Sequence, residues 1–367
     1  MTRGLYIHIP FCKQKCNYCD FASFAGQEHY IDDYLCALEQ EALAYQGVTF
    51  YTLYVGGGTP SLLSVAQLKK LVNIIEHAAG PISQFAESTF EANPESLTPA
   101  KITYLRQAGF NRLSMGLQSF HDKELKIIGR IHTTAQFKQA YQQARAGGFS
   151  NINVDLIAGL PTQTFQSFSD SLQRLLALRP EHISVYGLQI EEGTAFFSQG
   201  IVCDQLLMRR MLEQAHDMLT NAGYHHYEIS NFALPGYEAK HNTNYWHNGE
   251  YVGLGSAAAS YQNGCRRQNT SRIEKYIACL VQGKSPAEFS ETLTGKAHEG
   301  ESLMLAFRQL DGVELSAKQQ ALFGKEIEKH IQNGLLTRAQ KKVKLTKEGL
   351  YLANEVFRSF VAPFEDA

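Results

Sequence analysis

The stretch "YIHIPFCKQKCNYCDFAS" (Tyr6–Ser23) decides how the rest of the chain is read. An apolar run ends at Phe11, and three cysteines follow at once: Cys12, Cys16 and Cys19, spaced C-x3-C-x2-C. A pair of cysteines would be weak evidence, but three on the loop after a strand form a ligand set. Zinc in structural sites takes four Cys or His ligands, and His8 is the nearby candidate for a fourth. A 4Fe-4S cluster normally takes four thiolates. With only three, one iron stays open to a ligand that offers nitrogen and oxygen together, and S-adenosylmethionine offers both.

The composition suits such a site in a reducing compartment. The chain has seven cysteines, an odd number without even spacing, which reads as thiols, metal ligands or catalysts rather than disulfides. The opening "MTRGLYIHIPFC" lacks the pattern of a secretory signal. No stretch approaches the ~20 apolar residues of a membrane helix. A cytoplasmic location is the expectation. The net charge of -2 offers no basic field, so nucleic acid is not an expected partner. At 367 residues the chain can bury a large core and divide into domains.

Outward from the cysteine loop, strand-like and helix-like blocks alternate. Leu5–Phe11, Phe50–Gly58, Glu87–Pro94, Asn111–Ser119, Asn151–Pro161 and His182–Glu192 read as strands, with Tyr224–Ala233 as a seventh. Helices fall between them. One of them runs over Ser64–Gly80, with Ser64 as N-cap and Gly80 as stop. This rhythm predicts βαβ units and a parallel sheet, either open or partly closed into a barrel. In both cases chemistry gathers at the carboxyl ends of the strands. The conspicuous residues fall there: Cys12 after the first strand, Gly56, Gly57, Gly58 and Thr59 after the second, Glu91 at the third and Gln118 at the fourth. From about residue 286 the character changes to short helices, two strands around the basic run Arg338–Lys344, and a closing helix, a winged-helix-like pattern. The expected division is 1–235, a linking segment 236–285, and 286–367.

With these motifs in order, the chain resembles the radical S-adenosylmethionine superfamily over roughly residues 5 to 260. "CKQKCNYC" matches its cysteine motif, and "GGGTP" ends the second strand as it does there. The resemblance implies an α/β fold, a partial (β/α)6 barrel followed by the mainly helical winged-helix-like domain. It implies that Cys12, Cys16 and Cys19 hold three irons of a 4Fe-4S cluster while S-adenosylmethionine chelates the fourth. It also implies that Tyr6, Gly56, Gly57, Gly58, Thr59, Glu91, Gln118, Arg130 and Asp155 bind that cofactor. The residue types suit the task. Glycines admit close backbone approach, Arg130 can fork onto a carboxylate, and Asp155 in an apolar strand needs partners such as ribose hydroxyls.

Within the superfamily the chain is most similar to the oxygen-independent coproporphyrinogen III oxidase group, through "RLSMGLQSF" and "NVDLIAGLP". Two features depart from the oxidases. With the first strand starting at Leu5, the expectation is that their N-terminal extension is absent, and Phe21 stands where the resemblance puts a fourth cysteine. The haem chaperones of the HemW type are the nearer resemblance, through "HNTNYW" (His241–Trp246). That resemblance implies haem bound near His241, an imidazole ligand for the iron, with His225, His226 and His247 as rivals. It implies transfer of haem to an apo-haemoprotein, one of the respiratory chain being the first expectation. A homodimer and a peripheral membrane contact are further expectations. Oxidative decarboxylation of coproporphyrinogen III is the alternative activity. Cys36, Cys203, Cys265 and Cys279 read as buried thiols without a ligand role.

Overall fold

In the computed structural model, residues 3–363 are described; residues 1–2 and 364–367, included in the expected domain spans, lie outside the described residues. Six strands run parallel and in sequence order: β1 (Gly4–Ile9), β2 (Thr52–Gly57), β3 (Glu87–Ala92), β4 (Arg112–Gln118), β5 (Ile152–Ala158) and β6 (His182–Gly187). The helices α1 (Ile31–Ala42), α2 (Val65–Ala79), α3 (Pro99–Gln107), α4 (Thr134–Ala146) and α5 (Phe165–Leu178) follow the first five strands. Such crossovers keep parallel neighbours on one sheet. Ser64 caps α2 in a reciprocal box with Gln67, and Gly80 ends it at φ 82°. The sheet stays open, so the barrel is partial.

Alternation along the strands separates two environments. Odd-numbered residues of β1 and β2 (Leu5, Ile7, Ile9, Leu53, Val55) pack outward against the helices and are fully buried. The even-numbered ones (Tyr6, His8, Thr52, Tyr54) turn into the barrel. The parallel register stacks the inward residues in layers. Thr52 lies beside Glu87, Tyr54 beside Thr89 and then Arg112, Glu91 beside Ser114, Asn153 and His182, and Gly116 beside Asp155 and Ser184. The barrel interior is therefore polar from floor to mouth.

Beyond β6 come α6 (Gln205–Asn221) and two short antiparallel strands, β7 (His225–Glu228) and β8 (Asn231–Ala233), with β8 against β6. The single strand expected over Tyr224–Ala233 thus folds back on itself at Ile229–Ser230. The segment 236–285, read as a link, instead completes the other edge. After α7 (Lys240–Trp246), β9 (Tyr251–Leu254) pairs parallel with β1, and β10 (Ala259–Gln262), β11 (Cys265–Asn269) and β12 (Ala287–Thr292) extend the sheet to twelve strands.

A second apolar core, from Leu303 to Phe360, belongs to the C-terminal region. It holds α8 (Gly295–Ala306), α9 (Ala317–Gln332) and a three-stranded sheet of β13 (Val313–Glu314), β15 (Lys342–Leu345) and β14 (Leu336–Ala339). The β14–β15 hairpin is the wing expected from sequence and carries the basic run, whose Arg338 pairs with Glu328. Among the described residues no helix is long and apolar enough to cross a membrane.

Candidate functional site

Both ends of the cysteine loop are anchored by backbone. Phe11–Cys12 pairs with Phe24–Ala25. The "GGGTP" turn is bonded to the same segment, Gly58 N–H donating to the Ile9 carbonyl at 2.9 Å and Thr59 N–H to that of Phe11 at 2.8 Å. Between these anchors Cys12, Cys16 and Cys19 line one cavity of about 320 Å3 at the carboxyl ends of the strands. Among the described residues no three Cys, His, Asp or Glu side chains close on a point for a single metal ion. The three cysteines share one cavity wall, on a single short loop. Burial pushes the Cys12 and Cys19 thiols up. Thiolates there need a strong positive partner, and an iron cluster is one. Thr59 Oγ1 donates to Cys12 Sγ at 3.4 Å, and Arg130 Nη1 lies 3.8 Å from Cys16 Sγ.

The glycine turn owes its composition to the protein as much as to a ligand. A Cβ on Gly56 would meet the Glu91 carboxyl at 2.9 Å, and one on Gly58 the Phe11 carbonyl at 2.8 Å. Gly57, at φ 110°, would press a Cβ onto the His8 ring at 2.6 Å. Gly57, Gly58 and Thr59 line the cavity; Gly56 lies behind Glu91.

His8 is no metal ligand here. Its Nε2 must donate to the Ala22 carbonyl at 2.8 Å, so Nδ1 accepts from the Tyr6 hydroxyl at 2.8 Å. Tyr6, read as a cofactor contact, therefore braces the far end of the cysteine loop through His8. It is not part of the cavity wall.

Four other expected residues do line the cavity: Glu91, Gln118, Arg130 and Asp155. Glu91 accepts from the Tyr54 hydroxyl at 2.6 Å and from Gly57 N–H at 3.1 Å, and burial pushes its carboxyl up to about 7. Asp155 accepts from the Asn153 amide at 2.8 Å, and burial raises it too. Gln118 sits at a β-bulge with φ 72°, a strained conformation for a residue with a side chain. The bulge turns it inward, and its Oε1 is buried without a partner. An orphaned acceptor on strained backbone at a cavity wall fits a ligand donor. Arg130 is less free than its sequence suggested. Nη2 already donates to Asn93 Oδ1 and to the Gly116 carbonyl at 2.8 Å each, and Nε to His132 at 3.3 Å. Its Nη1 edge beside Cys16 is what it presents.

The sequence reading missed Arg112, Asn153, His182, Ser184, Asn231 and Asn242, which also line the cavity. A signal was present for most of them. In "RLSMGLQ", "INVDLIA" and "HISVYG", polar residues recur at every second position of otherwise apolar strands, the mark of a polar barrel interior.

The expected haem ligand lies at the opposite end. His241, on α7, plugs the barrel floor and is 1% exposed. Its Nδ1 is 2.8 Å from Thr52 Oγ1, its Nε2 2.7 Å from the Tyr245 hydroxyl. Its N–H and that of Lys240 donate to the two Glu87 oxygens at 3.0 Å each. Gly4 leaves room for the ring: a Cβ there would stand 3.0 Å from His241 Cε1. Gly4, Thr52 and Glu87 are cross-strand neighbours, so one layer of the barrel is built to hold this histidine. Both ring nitrogens of His241 are thus engaged within the floor network. Of its rivals, His225 is flanked by Glu238 and Asp311, and His226 is bonded on both nitrogens, to His216 and the Ile229 carbonyl. The scattered cysteines are not fully buried either; Cys36 is exposed and accepts from Lys70 Nζ at 2.9 Å.

The fold and this site define a radical S-adenosylmethionine protein, and that superfamily's sequence pattern matches residues 6–175, with the HemN C-terminal domain pattern over 293–352. Heme chaperone HemW of Bacillus subtilis (strain 168) is 36% identical, covering 98% of this chain and 99% of its own. Heme chaperone HemW of Escherichia coli (strain K12) is 34% identical, with 98% of each chain covered. The chain belongs to the HemW family. Among solved structures, the radical SAM enzyme coproporphyrinogen III oxidase (HemN) of Escherichia coli superposes with a TM-score of 0.86 at 25% identity, over 98% of this chain and 90% of that one. The superfamily's 4Fe-4S cluster and S-adenosylmethionine fit the residues present. Cys12, Cys16 and Cys19 would hold the cluster. Gly57, Thr59, Glu91, Gln118 and Asp155 would face the cofactor.

Proposed function

We propose that this protein is a haem chaperone: it binds haem and hands it to an apo-haemoprotein, with the cluster and S-adenosylmethionine bound in the barrel mouth. The observation that carries the reading is full-length similarity to proteins named haem chaperones, joined to a complete cluster loop. When bound, the cluster and its cofactor supply one-electron reductive cleavage chemistry. The chain's own residues position the two. The backbone anchors fix the thiols, Glu91 and Asp155 offer acceptors to cationic or hydroxyl groups, and the Gln118 amide oxygen awaits a donor. A respiratory haemoprotein as acceptor, a homodimer, peripheral contact with a membrane and a cytoplasmic location complete the proposal.

Decarboxylation of coproporphyrinogen III is the second reading, favoured by the shared fold. Phe21, 64% exposed at the cavity, stands where the resemblance puts the oxidases' fourth cysteine, and so ranks it second. Anaerobic reconstitution followed by haem titration at the Soret band tests both. Stoichiometric haem binding, haem passage to an apo-protein and no protoporphyrinogen formation are expected. Product formation with S-adenosylmethionine and reductant, without stoichiometric haem binding, would replace the first reading by the second.

A further inference from the structure

The cluster and its cofactor account for the mouth of the cavity, but the cavity continues down the barrel lumen. Its lining reaches Tyr54, Arg112, Ser114 and Asn153 on the strands and Asn242 on α7. Arg112 opens β4 and Gln118 ends it. At ~3.3 Å per residue the strand sets their backbones about 20 Å apart. Arg112 stands in the layer of Tyr54 and Thr89, next above the closed floor layer of Thr52 and Glu87 and well below the residues that would face the cofactor.

Arg112 is 2% exposed, and a cation buried so deeply ordinarily has an acid or several acceptors around it. Its one side-chain hydrogen bond among the described residues is long, Nη1 to Thr89 Oγ1 at 3.4 Å. Its Nε is buried without an acceptor. Arg130 is the contrast, with Nη2 engaged by two acceptors and Nε by His132. Glu91 and Asp155 face the same cavity but bond elsewhere, to Tyr54 and Gly57 and to Asn153. His182, also in the lumen, is neutral. Its Nδ1 donates to Asn153 Oδ1 at 2.6 Å and its Nε2 accepts from the Tyr227 hydroxyl at 2.9 Å; burial, and then the Arg112 charge, lowers its proton affinity. Arg112 is thus a lumen cation without a matched anion among the described residues.

We infer that the lumen is a binding site for a carboxylate, seated on the Arg112 guanidinium, so that a small acid or a slender acid arm lies beneath the cofactor. A guanidinium forks onto a carboxylate through two parallel N–H bonds, and the orphaned Nε belongs to one such edge. The two acids that share the cavity favour a single negative charge over the double charge of a phosphate. The cavity's volume of about 320 Å3 is at the lower limit of small-molecule pockets, too little for a porphyrin plate beside the cofactor. The inference goes beyond the chaperone reading and does not depend on it.

The test uses the full chain with its cluster reconstituted and S-adenosylmethionine present, so that the open iron is occupied. Propionate, its neutral isostere propionamide and methylphosphonate are titrated by saturation-transfer NMR at constant ionic strength. Propionate should bind saturably and at least tenfold more tightly than methylphosphonate, and propionamide should not bind. Arg112→Met keeps the length of the side chain and should weaken propionate at least tenfold. Arg112→Lys keeps the charge, loses the fork and should weaken it several-fold. Arg112→Met should also leave the denaturation midpoint of the apo-protein unchanged or raised, because it removes an unpaired buried charge. Equal propionate affinity in the wild type and Arg112→Met would overturn the site. Equal binding of propionate and propionamide by the wild type would overturn it too, and that comparison decides even where a variant fails to fold. Tighter binding of methylphosphonate would overturn the assignment to a carboxylate. Haem titration of the same wild-type sample bears on the chaperone reading alone, so the two can fail separately.

Discussion

The two ends of the barrel are built from the same strands and differ in how completely their polar groups are satisfied. At the floor, Thr52, Glu87, His241 and Tyr245 form a closed network. At the mouth, Gln118 is strained and its amide oxygen has no partner, and buried thiols and carboxylates have their proton affinity raised. A satisfied end contributes stability. An unsatisfied end keeps its hydrogen-bonding capacity for something that arrives from solution.

The largest expected effect separates the two ends outright. Replacing Cys12, Cys16 and Cys19 with Ala should abolish iron loading and its visible absorbance while the chemical denaturation midpoint of the apo-protein barely moves. Replacing His241 with Ala should do the reverse. Iron loading should persist, and stability should fall by ~2–4 kcal/mol from a cavity and two orphaned hydroxyls. If His241→Ala left stability unchanged, the floor would not be the structural end.

Acid sharpens the same contrast. Burial pushes His241 down to about 3 and His226 to about 4. The unfolded chain takes up these protons near pH 6.5 while the folded chain refuses them, so stability falls as pH drops from about 6.5 toward 3. Glu91 acts with the opposite sign. Its folded carboxyl titrates near 7, above its unfolded value of about 4.3. The folded state therefore binds the extra proton, and stability declines as pH rises from about 4.3 to 7. Urea midpoints across pH should show His241→Ala flattening the acid limb and Glu91→Gln flattening the neutral one.

The smallest effect concerns strain. Gln118→Gly should stabilise the apo-protein by about 1 kcal/mol by relieving the left-handed backbone, and weaken S-adenosylmethionine binding about tenfold in equilibrium dialysis. Loss of stability instead would make Gln118 a structural residue.

Much of this was legible in the sequence because period and spacing carry it. The strand–helix rhythm, the Ser64 cap and the C-x3-C-x2-C loop depend on residues close together in the chain. What a linear reading leaves out depends on register. The spacing of "HNTNYW" does not show that Gly4, Thr52 and Glu87, from three distant strands, converge on its histidine. Tyr6 shows the same limit: its task is set by His8 and the Ala22 carbonyl, which a linear reading does not bring together. Segment 236–285 was taken for a link because short strands that join a sheet edge have no periodic signature of their own.

One feature of the sheet bears on how the chain is made. β1 pairs on one side with β2 and on the other with β9, whose first residue is Tyr251. During synthesis at ~5–20 residues per second, β1 can meet β2 early, but its other edge waits roughly 10–40 s for β9 to emerge. Through that interval the nascent barrel carries an unpaired, apolar strand edge beside the cysteine loop, a template for pairing with another chain. Slowed translation between β2 and β9 should therefore lower the yield of folded protein more than the same delay placed after β9.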